Sequence, residues 1–147
     1  MNTLARRLNR EESGQVIVLV AVLMAGLVAV VGLVTDGGLV FTQKRDLQNV
    51  ADAAALAGAM QIDQEAYRAS GGASVVLDEP AAYQAAVEYL RAEGELRYSV
   101  TVRPARVEVS VARRASTGFL RVVGINGVDI SASAAAEPRH GVGSAAP

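Results

Sequence analysis

Residues Ser13–Thr35 read SGQVIVLVAVLMAGLVAVVGLVT, a run of 23 residues without a charged side chain. We call this segment the apolar run. A helix needs about 20 apolar residues to cross the hydrocarbon core of a bilayer. A cleaved secretory signal has a shorter apolar part that ends in a small-residue cleavage site. The length of the run therefore favours an uncleaved transmembrane anchor over residues 13–35.

The charges on either side of the apolar run set its expected orientation. Arginines precede it at positions 6, 7 and 10 (Arg6, Arg7 and Arg10), and Asp36 follows it. Basic residues favour the cytoplasmic side of a membrane, and acidic residues contribute little to this preference. The sequence predicts a single-pass protein of the cytoplasmic membrane, with residues 1–12 in the cytoplasm and the part after the run extracytoplasmic.

Composition argues against several classes of function. The chain of 147 residues has a net charge of −1 and no cysteine. A balanced charge gives no basic surface for nucleic acid, and a chain without cysteine has no disulfides or thiolate metal sites. The only histidine is His140, close to the C-terminus, and no phosphate-binding glycine loop is present. We expect no enzymatic activity, no cofactor, and no catalytic or metal site.

Small residues recur on one face of the apolar run. Ala21, Ala25 and Ala29 repeat every four residues, and Gly32 follows three residues later. Such spacing lets a second helix backbone approach closely within a membrane. The pattern predicts a helix-packing face for self-association or for contact with another membrane protein. The ordinary alanine and glycine content of a membrane helix is the simpler alternative.

The sequence after Asp36 predicts an amphipathic stem helix over residues 36–62. Its apolar stripe has helical spacing and consists of Val40, Leu47, Val50, Ala51, Ala54 and Gly58. The stem helix would continue the membrane helix directly, with Gly37-Gly38 as the place where it could kink. Because Asp36 lies at the expected membrane exit, its carboxylate is expected at the interface and not buried.

The remaining chain is divided into a linker over residues 63–79, a small α+β domain over 80–136 and a disordered tail over 137–147. The predicted fold class is α+β. A long N-terminal transmembrane helix continues into the stem helix, and about two helices then pack on a three-stranded, mainly antiparallel sheet. Whether the third strand lies parallel or antiparallel is left open.

Local signals within residues 80–136 place the elements of this domain. Asp78-Glu79-Pro80 is typical of a helix start, and Gly94 of a helix end. Alternating apolar residues predict two strands joined at Pro104-Ala105 and a third strand after Asn126-Gly127. Between the second and third strands, Ser116-Thr117 is expected to cap a short helix.

The segment from Ser13 to Ala59 resembles the N-terminal module of TadG-like proteins of the tight-adherence (Tad, or Flp) pilus assembly system. The residues that carry the resemblance are Gly14, Asp36, Gly37, Leu47, Gln48, Asn49, Ala51, Asp52, Ala53, Ala54 and Leu56. The sequence from Phe119 to Ile125 and the strand after it are similar to the C-terminal part of TadE/TadG-like proteins.

The resemblance implies a membrane-anchored structural component of a Tad (Flp) type pilus or a related secretion apparatus. Its partners would be the lipid bilayer and other pilus-assembly membrane proteins or pilins. A first alternative is a minor pilin or pseudopilin cleaved after Gly14, although Leu19 stands where such relatives carry Glu. A second alternative is a membrane-tethered extracytoplasmic binding or sensor module, which would need a ligand pocket.

Overall fold

The computed structural model describes residues 3–138, with side chains described for residues 14–138. Its elements, in chain order, are helices α1 (Thr3–Ala59), α2 (Gln64–Ala69) and α3 (Glu79–Ala92), strands β1 (Arg97–Arg103) and β2 (Arg106–Ser116), a 3₁₀ helix (Leu120–Val123) and strand β3 (Gly127–Ala136). The predicted α+β class is confirmed. His140 and the predicted tail from residue 139 onward lie outside the described residues.

Helix α1 is continuous over 57 residues and does not break at Gly37-Gly38. At 1.5 Å per residue its length is about 85 Å. Both glycines are exposed, and a Cβ added at either would meet nothing within 4 Å. The helix is therefore uninterrupted at this position, and one helix carries both the apolar run and the stem.

The distal part of α1 belongs to the hydrophobic core. Leu47, Ala51 and Ala54 have no exposed surface. The other buried core residues are Ala55, Ala59, Leu77, Ala82, Ala86, Leu90, Val107, Val109, Val111, Ala115, Ile130 and Ala132. Alanine is the commonest residue on the α1 face, and its small size lets the helix lie close to α3 and the sheet. The stem thus forms half of the helical layer, which α3 completes, and is not a spacer below a separate domain.

The three strands form one antiparallel sheet in the order β1-β2-β3. Arg103 pairs with Arg106 across the Pro104-Ala105 turn, as predicted. The third strand lies antiparallel to β2, from Ser116 opposite Gly127 to Val107 opposite Ala136. Alternate residues of β2 are buried against the helices, which matches the period of two expected for a strand with one covered face.

The predicted linker over residues 63–79 is a folded segment. Asp63 caps α2, because its Oδ1 accepts the N–H groups of Glu65 and Ala66, both at 2.9 Å. Leu77 is buried, pairs with Ile62 in a single β-bridge, and donates its N–H to the Pro104 carbonyl at 2.8 Å. Helix α2 has six residues and none of them is buried, so it has no apolar periodicity by which the sequence could have revealed it.

The predicted ends of α3 are confirmed. Asp78 Oδ1 accepts the N–H of Ala81 at 3.0 Å and caps the first turn. The helix ends before Gly94, whose φ of +93° is a left-handed conformation that glycine adopts without steric cost.

Gly58 is a buried position at which α1 lies close to the rest of the core. A Cβ added there would lie 3.0 Å from the Ala82 carbonyl oxygen and 3.1 Å from Val107 Cγ1. We expect Gly58→Val to destabilise the fold by about 1–3 kcal/mol, because a well-packed core resists added volume. The measurement is the thermal unfolding midpoint of the micelle-bound protein, followed by tyrosine fluorescence. The matched variant Gly38→Val adds the same atoms to an open helix surface and should leave the midpoint nearly unchanged; an equal loss in both variants would contradict this account of the core.

Candidate functional site

Asp36 is the one charged residue that is buried among residues 14–138, with 1% of its surface exposed. The expectation of an interfacial, solvated carboxylate is therefore wrong. A buried carboxylate is costly unless donors surround it, since it loses its hydration on leaving water. The partners that Asp36 finds are far away in the sequence, at the start of the 3₁₀ helix.

Three consecutive backbone N–H groups converge on the Asp36 carboxylate. Oδ1 accepts from Gly118 at 2.8 Å and from Phe119 at 3.0 Å, and Oδ2 accepts from Leu120 at 2.6 Å. These amides are at the N-terminal end of the 3₁₀ helix, where no backbone acceptor is available within the helix. We call Asp36 and these three residues the Asp36 clamp. It caps one element with a side chain from another, and so fixes the 3₁₀ helix against α1.

The predicted cap of this short helix by Ser116-Thr117 is wrong. The N-cap residue, Phe119, makes no side-chain capping bond. Thr117 is buried, and its hydroxyl donates to the Ile125 carbonyl, which closes the loop at its base. The capping acceptor comes from Asp36 instead, a residue too distant along the chain for a local capping signal to reveal.

The clamp favours the ionised form of Asp36. Hydrogen bonds lower the pKa of this carboxyl from its ordinary value of 3.8, most strongly the bond from Leu120 and also those from Gly118 and Phe119. Burial acts in the opposite direction and is outweighed. The carboxylate is therefore charged at neutral pH, and the interaction that it makes is a charge-assisted cap.

Glycines on both sides of the clamp make room for it. A Cβ added at Gly32 would lie 2.8 Å from Phe119 Cγ, so the aromatic ring rests directly on the helix backbone there. A Cβ added at Gly118 would lie 3.0 Å from Asp36 Oδ1. The ring of Phe119 also borders a groove with residues of the apolar run, namely Met24, Leu27, Val28 and Val31.

Gln43 forms a second connection between α1 and the end of β2. Its Nε2 donates to the Ser116 carbonyl at 3.2 Å, and its Oε1 accepts the Ser116 N–H at 3.1 Å. Arg113 Nη2 donates to the Gln43 carbonyl at 3.2 Å. The sequence analysis missed Gln43, although it lies on the same helix face as Asp36 and Leu47, at spacings of seven and four residues.

The residues that carry the family resemblance differ in how far they are buried. Asp36, Leu47, Ala51 and Ala54 are buried, and Ala53 is half-buried. Gln48 is half-buried, and its Nε2 donates to the Ser133 carbonyl at 3.0 Å and to Asp52 Oδ1 at 3.2 Å. The exposed positions are Gly14, Gly37, Asn49, Asp52 and Leu56.

The residues of the predicted helix-packing face also differ in exposure. Ala21, Ala25 and Ala29 are exposed, whereas Gly32 is buried under Phe119. Gly32 therefore contacts the chain's own 3₁₀ region in this structure, and the three alanines form the part of the face that is open to another helix.

The outer face of the sheet carries arginines that are paired with nearby carboxylates. Arg97 lies 3.3 Å from Asp129, and Arg106 lies 3.1 Å from Glu108 and 3.5 Å from Glu137. These side chains are largely exposed, so each pair contributes little to stability.

Among residues 14–138, no three His, Cys, Asp or Glu side chains are grouped so that they could hold a metal ion. Within the same residues, the hydrogen bonds of Asp36 are to backbone N–H groups, so this arrangement fixes elements in place.

Removal of the Asp36 carboxylate should loosen the 3₁₀ region. In Asp36→Ala, three amides lose their acceptor, and we expect the local opening free energy to fall by about 2 kcal/mol. Hydrogen exchange at the amides of Gly118, Phe119 and Leu120 should accelerate roughly thirtyfold, since about 1.4 kcal/mol corresponds to a factor of ten. Asp52→Ala removes an exposed carboxylate from the same helix and should leave these rates unchanged. Equal rates in wild type and Asp36→Ala would contradict the clamp.

The lowered pKa of Asp36 predicts a dependence of the clamp on pH. Because the folded-state pKa lies below the ordinary 3.8, the contribution is fully present above about pH 4 and is lost as the pH falls through the lowered value. The stability difference between wild type and Asp36→Asn should therefore be constant from neutral pH down to the ordinary pKa and shrink below it. Denaturant titrations of both proteins over this range provide the measurement; a difference that persists unchanged well below that range would contradict the assignment.

Comparison with known proteins agrees with the resemblance noted in the sequence. Residues 14–61 match the family model described as putative Flp pilus-assembly TadE/G-like, over about a third of the chain. No curated protein and no solved structure matches this chain. The matched range begins at Gly14, includes Asp36 and ends two residues after α1. The resemblance to the N-terminal TadG-like module is thereby confirmed, and residues 14–61 are similar to the Flp pilus-assembly TadE/G-like family.

Proposed function

We propose that this chain is a membrane-anchored structural component in the assembly of a Tad (Flp) type pilus or a related secretion apparatus. The family match over residues 14–61 supports a pilus-related role. The proposal places the N-terminus in the cytoplasm and the folded part outside the cytoplasmic membrane, in accord with the arginines before the apolar run.

The observation that carries the membrane anchor is the exposure of the apolar run. Within the described residues, one helix is long and apolar enough to cross a membrane. The large apolar side chains from Val16 to Val34 are 47% to 69% exposed, while Leu47, Ala51 and Ala54 on the same helix have no exposed surface. A water-facing surface of this size and composition is unfavourable, and a bilayer removes that cost because its core is itself apolar.

In the proposed role, the chain acts by holding a domain in a fixed position above the membrane. The continuous α1 joins the anchor to the core, and the Asp36 clamp with Gln43 restrains the sheet on the same helix. The exposed face of Ala21, Ala25 and Ala29 would contact other pilus-assembly membrane proteins, pilins or a second copy of this chain. This role requires contacts and no catalysis.

A minor pilin cleaved after Gly14 is the second candidate. The family match begins at Gly14, and a long apolar helix that enters a small antiparallel sheet domain could also pack within a filament. Leu19 stands where pseudopilin relatives carry a glutamate, which favours the uncleaved anchor.

Deletion of the gene in the source organism tests the proposed role. Surface pili, counted by electron microscopy, should be strongly reduced and should return when the wild-type gene is supplied. Unchanged piliation in the deletion strain would contradict a role in pilus assembly.

Fractionation of the complemented strain distinguishes the two candidates. An anchor should remain with the membranes after pili are sheared off, and its N-terminal sequence should precede Gly14. A protein that begins at Gln15 and is enriched in the sheared filaments would support the minor pilin instead.

A further inference from the structure

Apolar side chains are exposed on the loop between β2 and β3. Phe119, Val122, Val123 and Ile125 are 49%, 87%, 72% and 46% exposed, respectively. We call these four residues the apolar turn. A group of exposed apolar side chains on one short loop is typical of a contact surface, since isolated exposed residues would need no explanation.

The apolar turn is held beside the end of the apolar run. Asp36, the first charged residue after the run, binds the amides at the start of the turn. Phe119 covers Gly32, which lies about 6 Å along the α1 axis from Asp36 toward the run. The ring also borders a groove lined by Met24, Leu27, Val28 and Val31, so it extends alongside the proposed membrane span.

Six backbone N–H groups of this loop have hydrogen-bond acceptors within the protein. The Asp36 carboxylate satisfies three of its N–H groups. The N–H groups of Val122, Gly124 and Ile125 donate to carbonyls within the same loop, at 3.0, 3.1 and 3.0 Å. Gly124 has a φ of +91°, and this left-handed conformation allows the loop to close on itself. Because unpaired backbone groups are costly in apolar surroundings, this pairing suits a segment that leaves water.

We propose that the apolar turn is a second membrane contact, which inserts into the outer-leaflet interface next to α1. The inference rests on the proposed function, since it requires α1 to cross the membrane. Val122 and Val123 would lie among the upper acyl chains, and exposed Arg121 would meet the phosphate headgroups. Two contacts on one membrane would then fix the tilt and the rotation of the domain.

Lipid is the favoured occupant because the apolar turn is continuous with a surface that lipid must already cover. Phe119 and the exposed side chains of Val28 and Val31 border the same groove. A bilayer that surrounds the apolar run up to Val34 therefore reaches the level of the Phe119 ring. The charge of Arg121 also favours lipid as the occupant, since the headgroup region supplies anions for this cation.

Site-specific fluorescence in nanodiscs tests the inference. The chain has no cysteine, so single substitutions Val123→Cys and Val122→Cys can each carry an environment-sensitive NBD label. Both positions are highly exposed, so the label should not disturb the core. Val22→Cys in the apolar run and Thr101→Cys on the outer face of β1 serve as controls. The full chain is placed as single copies in phosphatidylcholine–phosphatidylglycerol discs, with or without a nitroxide at acyl carbon 5.

The labels at positions 122 and 123 should lose about half of their emission with nitroxide lipid, since interfacial segments lie about 5–10 Å into the boundary. The label at Thr101→Cys should lose almost none. Quenching at Val22→Cys without quenching at 122 and 123 would overturn the inference and leave the membrane anchor intact. Absence of quenching at Val22→Cys would overturn the anchor, and the inference with it. Labels at 122 and 123 that are shielded from water but not quenched would indicate a protein contact and would also overturn the inference.

Discussion

The structure depends on one carboxylate that receives three backbone N–H groups. Asp36 stands at the boundary between the apolar run and the stem, and within residues 14–138 the N-terminal end of the 3₁₀ helix compensates its burial. The dependence is mutual, because those amides have no acceptor within their own short helix. A buried charge and a set of unpaired donors would each be costly alone, and together they fix the position of the loop on α1.

One helix can serve two different environments because its faces and its two halves differ in composition. Between Val16 and Val34 the large apolar side chains are exposed on nearly all faces, which suits an apolar solvent. After Asp36 the apolar residues narrow to a stripe that is rich in alanine and packs on α3 and the sheet. Gly32, Asp36, Gln43 and Leu47 lie along one face of α1, so the contacts with the rest of the chain continue from the apolar run into the core.

Much of the fold could be predicted from local sequence signals. Alternation in β2, the cap at Asp78 and the end at Gly94 are properties of neighbouring residues, and each is found where expected. The contacts of Asp36 and Gln43 could not be predicted in this way, since they join residues that are 70 to 84 positions apart. Helix α2 was not predicted from the sequence, because a short exposed helix needs no apolar face. The resemblance to a pilus-assembly family includes Asp36 in its motif, but the role of the carboxylate becomes visible only in the three-dimensional arrangement.

The central claim is that Asp36 holds the 3₁₀ region in one position on α1. The most direct measurement is the distance distribution between spin labels at Leu39→Cys and Val122→Cys, two exposed positions on either side of the clamp, recorded in lipid nanodiscs. A single narrow distribution that broadens when Asp36→Ala is added would agree with this account. A distribution that is already broad with Asp36 present, or that stays narrow without it, would contradict the account.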